Sequence, residues 1–330
     1  MKLLNFFSKQ ARIMNACLIL FTALLFTSCD ESTPVTENVT ILKKSNSLAL
    51  HKTSSSLGLI GNGVNLQPSY YNNGNCDLGW TLMKQNTKIQ TVRIEVEPGQ
   101  EVNAKRWISE AKLNGYKVIV TFHKSNALGS DKLSDLLAAA NWWKNNYSQL
   151  GGGFIINLMN EWGSHTITSS AYASAYNAAI TEVRKVYRGS IIIDIPGWGQ
   201  ETATAACAVK GCSTGQTKIT DTNIILSAHI YPGAYNQAKG RYMNTTDLDD
   251  LASSGRPCML GEFGSIGGSG ADWSGIVDYA NTKGWTIIGW AWGGDGVGMN
   301  MITPNFQPFV SGSPKTYTKN AYFNTVYNKL

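Results

Sequence analysis

Charge is scarce in this chain. Of its 330 residues, 28 are Lys or Arg and 22 are Asp or Glu, a charged fraction of 15% with formal net charge +6. There is no basic run and no block of like charge, which excludes an electrostatic nucleic-acid surface. Cysteine and histidine are few, at six and four, and no group of them has metal-ligand spacing, so no structural zinc site is expected. A glycine-rich phosphate loop is missing as well. Gly61-Asn62-Gly63 does not continue as one, which argues against a nucleotide-binding open sheet. What is plentiful is aromatic: 10 Trp and 14 Tyr. Exported proteins that handle uncharged sugars have this balance.

The first 28 residues have the order of a signal peptide. Lys2, Lys9 and Arg12 precede an apolar run over 16–26, which is short for a membrane span. The run ends at Phe26-Thr27-Ser28-Cys29, a segment similar to a bacterial lipobox, with Phe26 in place of the usual aliphatic residue. Cys29 is therefore the expected lipidation site. The mature chain is expected to be exported and held at the outer membrane or cell surface. Cleavage would remove three of the 28 basic residues and no acid, leaving 25 against 22. Residues 29–56, rich in Ser, Thr, Asn and Lys without an aromatic, have the composition of a flexible tether. Four further cysteines remain: Cys76, Cys207, Cys212 and Cys258. Export permits disulfides. Cys207 and Cys212 are expected to pair within a loop, and the state of Cys76 and Cys258 is left open.

Residues 57–330 fit one large domain. Eight short apolar runs recur through it, at 58–66, 91–96, 117–123, 154–160, 190–196, 223–230, 257–263 and 285–292. Most are nearly continuous hydrophobes, such as Val118-Ile119-Val120 and Ile191-Ile192-Ile193, as in strands buried on both faces of a parallel sheet. Amphipathic helices are expected at 102–114, 132–147 (capped by Ser130-Asp131), 171–187, 246–253 and 272–283, several of them stopping at Gly115, Gly255 or Gly284. Eight β/α units predict an α/β fold of the (β/α)8 TIM-barrel type, with a doubly wound sheet as the alternative.

In such a barrel the functional groups gather at the C-terminal ends of the strands. His123 ends the third run, Asn160-Glu161-Trp162 the fourth, His229 and Tyr231 the sixth, Glu262 the seventh, and Trp290 and Trp292 the eighth, while the fifth leads into Trp198. Two glutamates facing each other across a barrel mouth can cleave a glycosidic bond, one as proton donor and the other as nucleophile, if their carboxyl groups lie about 5 Å apart. The nucleophile must stay ionised, which a nearby Arg93 favours and a Tyr231 hydroxyl can support. Asn160 can grip a sugar 2-hydroxyl. Trp162, Trp198, Trp290 and Trp292 offer flat faces for pyranose rings, and the segments 199–222 and 232–244 are expected to be the longest loops shaping the cleft. A lone His or an Asn-Glu pair is more often structural, so the inference rests on their order along the chain.

That ordered set resembles glycoside hydrolase family 5, over about residues 57–302. The resemblance implies Glu161 as acid/base and Glu262 as nucleophile, supported by Arg93, His123, Asn160, His229, Tyr231 and Trp290. Ile195-Pro196-Gly197-Trp198-Gly199-Gln200, Ser227-Ala228-His229-Ile230-Tyr231 and Trp290-Ala291-Trp292 are similar to the bacterial endo-β-1,4-mannanase type. Asn160-Glu161-Trp162 departs from the family's Asn-Glu-Pro and places the neighbouring subsite in question. The implied activity is a retaining endo-hydrolysis of β-1,4-linked mannan or glucomannan by a monomer. The implied mechanism needs no cofactor or metal. An endo-β-1,4-glucanase and an inactive glycan-binding lipoprotein are the alternatives.

Overall fold

The computed structural model describes residues 60–330. The expected signal peptide, Cys29 and the tether lie outside the described residues, as do residue 57 and positions 58 and 59 of the first expected strand.

Eight parallel strands close into a barrel. They are β1 (Gly63–Leu66), β2 (Thr91–Val96), β3 (Lys117–Phe122), β4 (Ile155–Asn157), β5 (Ile191–Asp194), β6 (Ile224–Ile230), β7 (Cys258–Phe263) and β8 (Thr286–Gly293). Each falls within or against one of the eight apolar runs. Six principal helices surround them: α1 (Glu101–Leu113), α2 (Leu133–Asn146), α3 (Ser169–Val183), α4 (Thr202–Lys210), α5 (Thr245–Ala252) and α6 (Trp273–Thr282). Outward-facing residues such as Val92, Ile94, Val118 and Val120 pack with buried helix residues including Trp107, Leu136 and Trp143 in the main core.

The inside of the barrel is layered. Ile119, Ile192, Ile225, Met259 and Ile288 form an apolar floor of their own, with Ile60 and Ile155 against it. Above that floor the inward positions turn polar: Asn65, Arg93, Thr121, Asn157, Asp194, Ser227 and His229, all buried. The change from branched aliphatic to polar within single strands, as from Ile192 to Asp194, separates a packed base from a reactive mouth.

Several local expectations are corrected. Residues 199–222 are not all loop, since α4 occupies Thr202–Lys210. Its Thr-Ala-Thr-Ala-Ala-Cys-Ala-Val sequence has small residues on every side, so helical periodicity is faint. Cys207 accordingly lies on a helix, and its disulfide to Cys212 clips the helix end to the loop that follows. Cys76 and Cys258 are buried free thiols. Ser130 and Asp131 do not cap α2. Lys132 occupies that position without a side-chain cap, and Asp131 instead accepts from both the N–H and the hydroxyl of Ser164, each at 2.6 Å. The 232–244 segment carries a short antiparallel hairpin, Tyr235–Asn236 with Arg241–Tyr242. Long segments follow β1 and β8 as well, and their Asp77 and Gln307 pair across a two-stranded sheet.

Candidate active site

Arg93 is the hub of the polar layer and is fully buried. Its position on β2 points inward, and the neighbouring strands supply its partners. Nε donates to Asn157 Oδ1 at 2.8 Å. Nη1 donates to Asn65 Oδ1 at 2.9 Å, Glu95 Oε1 at 3.1 Å and Glu262 Oε1 at 3.0 Å. Nη2 donates to Asn160 Oδ1 at 2.6 Å and Asp194 Oδ2 at 3.3 Å. One guanidinium thus fixes the orientation of three carboxylates and three amides. Because Arg93 takes the Asn160 oxygen, the amide NH2 of Asn160 is left as the group that can donate to a ligand.

Glu262 reaches the barrel interior through an irregularity in β7. Met259 pairs with Ser227 and Leu260 with Ala228, but Glu262, not Gly261, pairs with His229. Gly261 is therefore an extra residue, a bulge that moves Glu262 by one position and so onto the inward face. The bulge needs glycine, since a Cβ at 261 would fall 2.2 Å from Ser227 Oγ and 3.0 Å from His229 Nε2. Tyr231 donates to Glu262 Oε2 at 2.7 Å. Burial pushes the Glu262 carboxyl up to about 7 and the Glu161 charge pushes the same way, while His229 and Arg93 pull it down.

Glu161 lies beyond the end of β4, which stops at Asn157, short of the expected strand end at residue 160. Its φ of 47° is a left-handed conformation costly for a residue with a Cβ. Asp194 helps to hold it, accepting from Glu161 N at 3.2 Å. His229 Nδ1 lies 2.9 Å from Glu161 Oε1 and 3.5 Å from Glu262 Oε1, and Nε2 lies 3.5 Å from Asp194 Oδ1. Burial alone would lower the His229 pKa, but the Glu262 and Asp194 charges outweigh it and hold the ring well above its usual range. Carboxylate and imidazole atoms of Glu161, His229 and Glu262 all lie within 4.8 Å of one another. That spacing could suit a metal ion, but the buried Arg93 guanidinium, 3.0 Å from Glu262 Oε1, already supplies positive charge there, and the donor set does not fit one.

The structure also brings His123 to this mouth, in a side network. His123 Nδ1 lies 2.8 Å from Glu97 Oε1, and Nε2 lies 3.5 Å from Glu95 Oε2. The Tyr70 hydroxyl is 2.9 Å from Nδ1 and donates to the same Glu97 oxygen. Burial would lower the pKa of His123, yet Glu95 and Glu97 raise it to about 9.

The tryptophans divide. Trp290 packs with Met299 and Tyr231 in a cluster apart from the main core, and its Nε1 donates to Asp295 Oδ1 at 2.9 Å. Trp198 is half-buried and packs at a tilt on His165. Trp162 and Trp292 are not available as sugar platforms. Trp162 is 1% exposed, packs on Tyr172 and Tyr176, and donates to Lys132 O at 3.2 Å. Trp292 is fully buried against Phe323, with Nε1 on Leu78 O at 2.9 Å. An indole in the Asn-Glu-Trp segment therefore fills core space behind the site. Sequence reasoning missed Asn65, Glu95, Asn157 and Asp194. Their signal was the alternation within strands: Glu95 is two residues from Arg93 on one face of β2, and Asp194 breaks the Ile191-Ile192-Ile193 run.

Comparison with known proteins finds relatives of this chain and of its barrel. Residues 73–296, more than half of the chain, match the family model described as Cellulase (glycosyl hydrolase family 5). The chain is 26% identical over 228 residues to the mannan endo-1,4-beta-mannosidase of Streptomyces lividans, covering 64% of this chain and 57% of that protein. It is 24% identical over 201 residues to the enzyme of that name from Cellvibrio japonicus, covering 59% of this chain and 45% of that one. The chain thus spans about half the length of these curated relatives. Among solved structures, the beta-mannanase of Thermomonospora fusca is 25% identical, with TM-score 0.58 over 76% of this chain and 86% of that one. By the extent of the family match, with a closed eight-stranded barrel beneath it, this chain belongs to glycosyl hydrolase family 5.

Proposed function

We propose that the chain is an endo-acting glycoside hydrolase that cleaves β-1,4-linked mannan or glucomannan with retention of anomeric configuration. The observation that carries this reading is the pair Glu161 and Glu262, with carboxylate oxygens inside 4.8 Å. A retaining enzyme needs about 5 Å between the carboxyl groups, and an inverting one needs room for a water, roughly 6.5–9.5 Å. The surroundings divide the roles. Glu262 faces Arg93 at 3.0 Å and the Tyr231 hydroxyl at 2.7 Å, partners that stabilise an attacking carboxylate. Glu161, half-buried beyond the end of β4, serves as the acid.

In the first step a Glu262 oxygen bonds to the anomeric carbon as the bond to the leaving oxygen breaks, and Glu161 gives that oxygen its proton. In the second step Glu161 takes a proton from water, whose oxygen displaces Glu262 from the sugar. The Asn160 amide NH2, aimed by Arg93, is placed to hold the 2-hydroxyl.

Mannan is favoured over glucan by the two mannosidase relatives and by the T. fusca beta-mannanase, and glucan is kept as the alternative because the family model is described as Cellulase. The reading extends to export and anchoring through Cys29, supported by the signal-like order of residues 1–28, and to a monomer acting on polysaccharide outside the cell. The deciding experiment measures reducing ends released from soluble mannan, glucomannan and carboxymethyl cellulose. Release from the two mannans is expected, with Glu262→Ala at background. Binding of a polysaccharide without release from any would overturn the enzyme reading.

A further inference from the structure

The mouth of the barrel holds a buried carboxylate that the reaction above does not use. Glu201 precedes α4 and is fully buried. Its Oε1 accepts from His165 Nδ1 at 2.6 Å and from Gln237 N at 2.7 Å, and its Oε2 accepts from Ala238 N at 3.2 Å. Burying a carboxylate is costly unless donors satisfy it. Here the donors come from the loops after β4 and β6, so Glu201, on the loop after β5, fastens three segments at one point.

The consequence falls on Trp198. The His165 ring, held through Nδ1, packs at a tilt against the indole with centroids 5.2 Å apart and an interplanar angle of 40°. Trp198 has φ 54°, a left-handed conformation that is strained in a residue with a bulky side chain. Such a conformation persists only where its surroundings enforce it. Gly197, also left-handed at φ 66°, leaves the room required: a Cβ there would lie 2.5 Å from His165 Nδ1 and 2.6 Å from Glu201 Cγ. The strained turn and the Glu201–His165 pair are therefore fitted to each other. The far edge of the indole occupies the space into which a side chain at 129 would project, with Cζ2 only 2.2 Å from that position. Gly129 N in turn donates to Glu161 O at 2.7 Å. The backbone of Gly129 thus lies against the indole and also bonds to the backbone of Glu161.

We infer that Glu201 and His165 are positioning residues that hold the Trp198 indole as the sugar-stacking wall on the leaving-group side of Glu161. This rests on Glu161 being the proton donor, because the departing sugar must lie on the donor's side. Among the aromatics at the mouth, Trp198 is the half-buried one next to Glu161, whereas Trp290 and Tyr231 gather beside Glu262.

The test compares two substrates in the full chain. One is the hexasaccharide of whichever backbone, mannan or glucan, the wild type cleaves. The other is the matching aryl disaccharide, whose phenol leaves without a sugar to stack. Trp198→Ala is expected to lower kcat/KM by about tenfold or more on the hexasaccharide and by less than about threefold on the aryl substrate. His165→Ala should reproduce most of that split, and Glu201→Gln should show it too. Because His165 acts through Trp198, the double variant His165→Ala/Trp198→Ala should be no worse than Trp198→Ala alone. If Glu201→Gln fails to fold, the half-exposed His165 decides the matter. Equal losses on both substrates, or a full additive loss in the double variant, would overturn the inference while leaving the catalytic reading intact. A wild type that cleaves neither hexasaccharide removes the catalytic reading and this inference together.

Discussion

At the residue scale, Glu262 is caught between opposed influences. Burial and the neighbouring Glu161 charge raise its carboxyl to about 7, against His229 and Arg93. An attacking carboxylate must be ionised, so the acid limb of kcat/KM should lie above the ordinary carboxylate range. Glu161→Gln removes the like charge, which lowers the Glu262 pKa and should move that limb to lower pH. The measurement uses an aryl glycoside, whose leaving group needs no proton. A limb that stays in place or rises would show that the two carboxylates do not interact as the geometry requires. The residue scale is also where the sequence was least legible. Trp290 and Trp292 are two residues apart on β8, and regular alternation would send both to one face. The pairing with β1 shifts register between Gly289 and Gly293, so one indole joins the mouth and the other the core. Trp162 and Trp198 similarly both follow strand ends, but Trp162 is buried against Tyr172 and Tyr176 of α3 while Trp198 lies against the loop residues His165 and Gly129, contacts that no local pattern records.

At the element scale, the eight strands were readable because burial on both faces leaves continuous apolar runs, and α1, α2, α3, α5 and α6 because their core-facing apolar residues recur at helical spacing. The boundaries of β4 and the existence of α4 were not. β4 has only three residues in regular pairing before the chain turns toward Glu161, and an apolar run cannot show where pairing stops. The bulge in β7 is the element on which the site depends most, and it leaves no compositional trace beyond a single glycine. Gly261→Ala tests it. The added methyl would meet Ser227 Oγ and His229, an overpacking expected to cost about 1–3 kcal/mol in denaturant unfolding. Hydrolysis should fall further than that loss of stability explains, because His229 touches Glu161. Wild-type stability and rate in this variant would mean that Glu262 reaches the interior without the bulge.

At the scale of the whole molecule, the barrel divides into an aliphatic floor and a charged mouth, and Arg93 is where they meet. Through Asn65, Glu95, Asn157, Asp194 and Glu262 it ties β1, β2, β4, β5 and β7 together. Replacing it with an apolar side chain would leave Glu95, Asp194 and Glu262 buried without their cation. Arg93→Met is therefore expected to destabilise the fold by about 3–5 kcal/mol in chemical unfolding, in addition to abolishing hydrolysis. A variant as stable as the wild type would show that the network serves the reaction alone. The division of labour between the two glutamates is tested most directly by trapping the covalent intermediate. The protein is incubated with a 2-deoxy-2-fluoro glycosyl fluoride of the preferred sugar, digested, and its peptides weighed. One sugar on the peptide containing Glu262 is the expected result. No adduct on a protein that is hydrolytically active, or an adduct on Glu161, would contradict it.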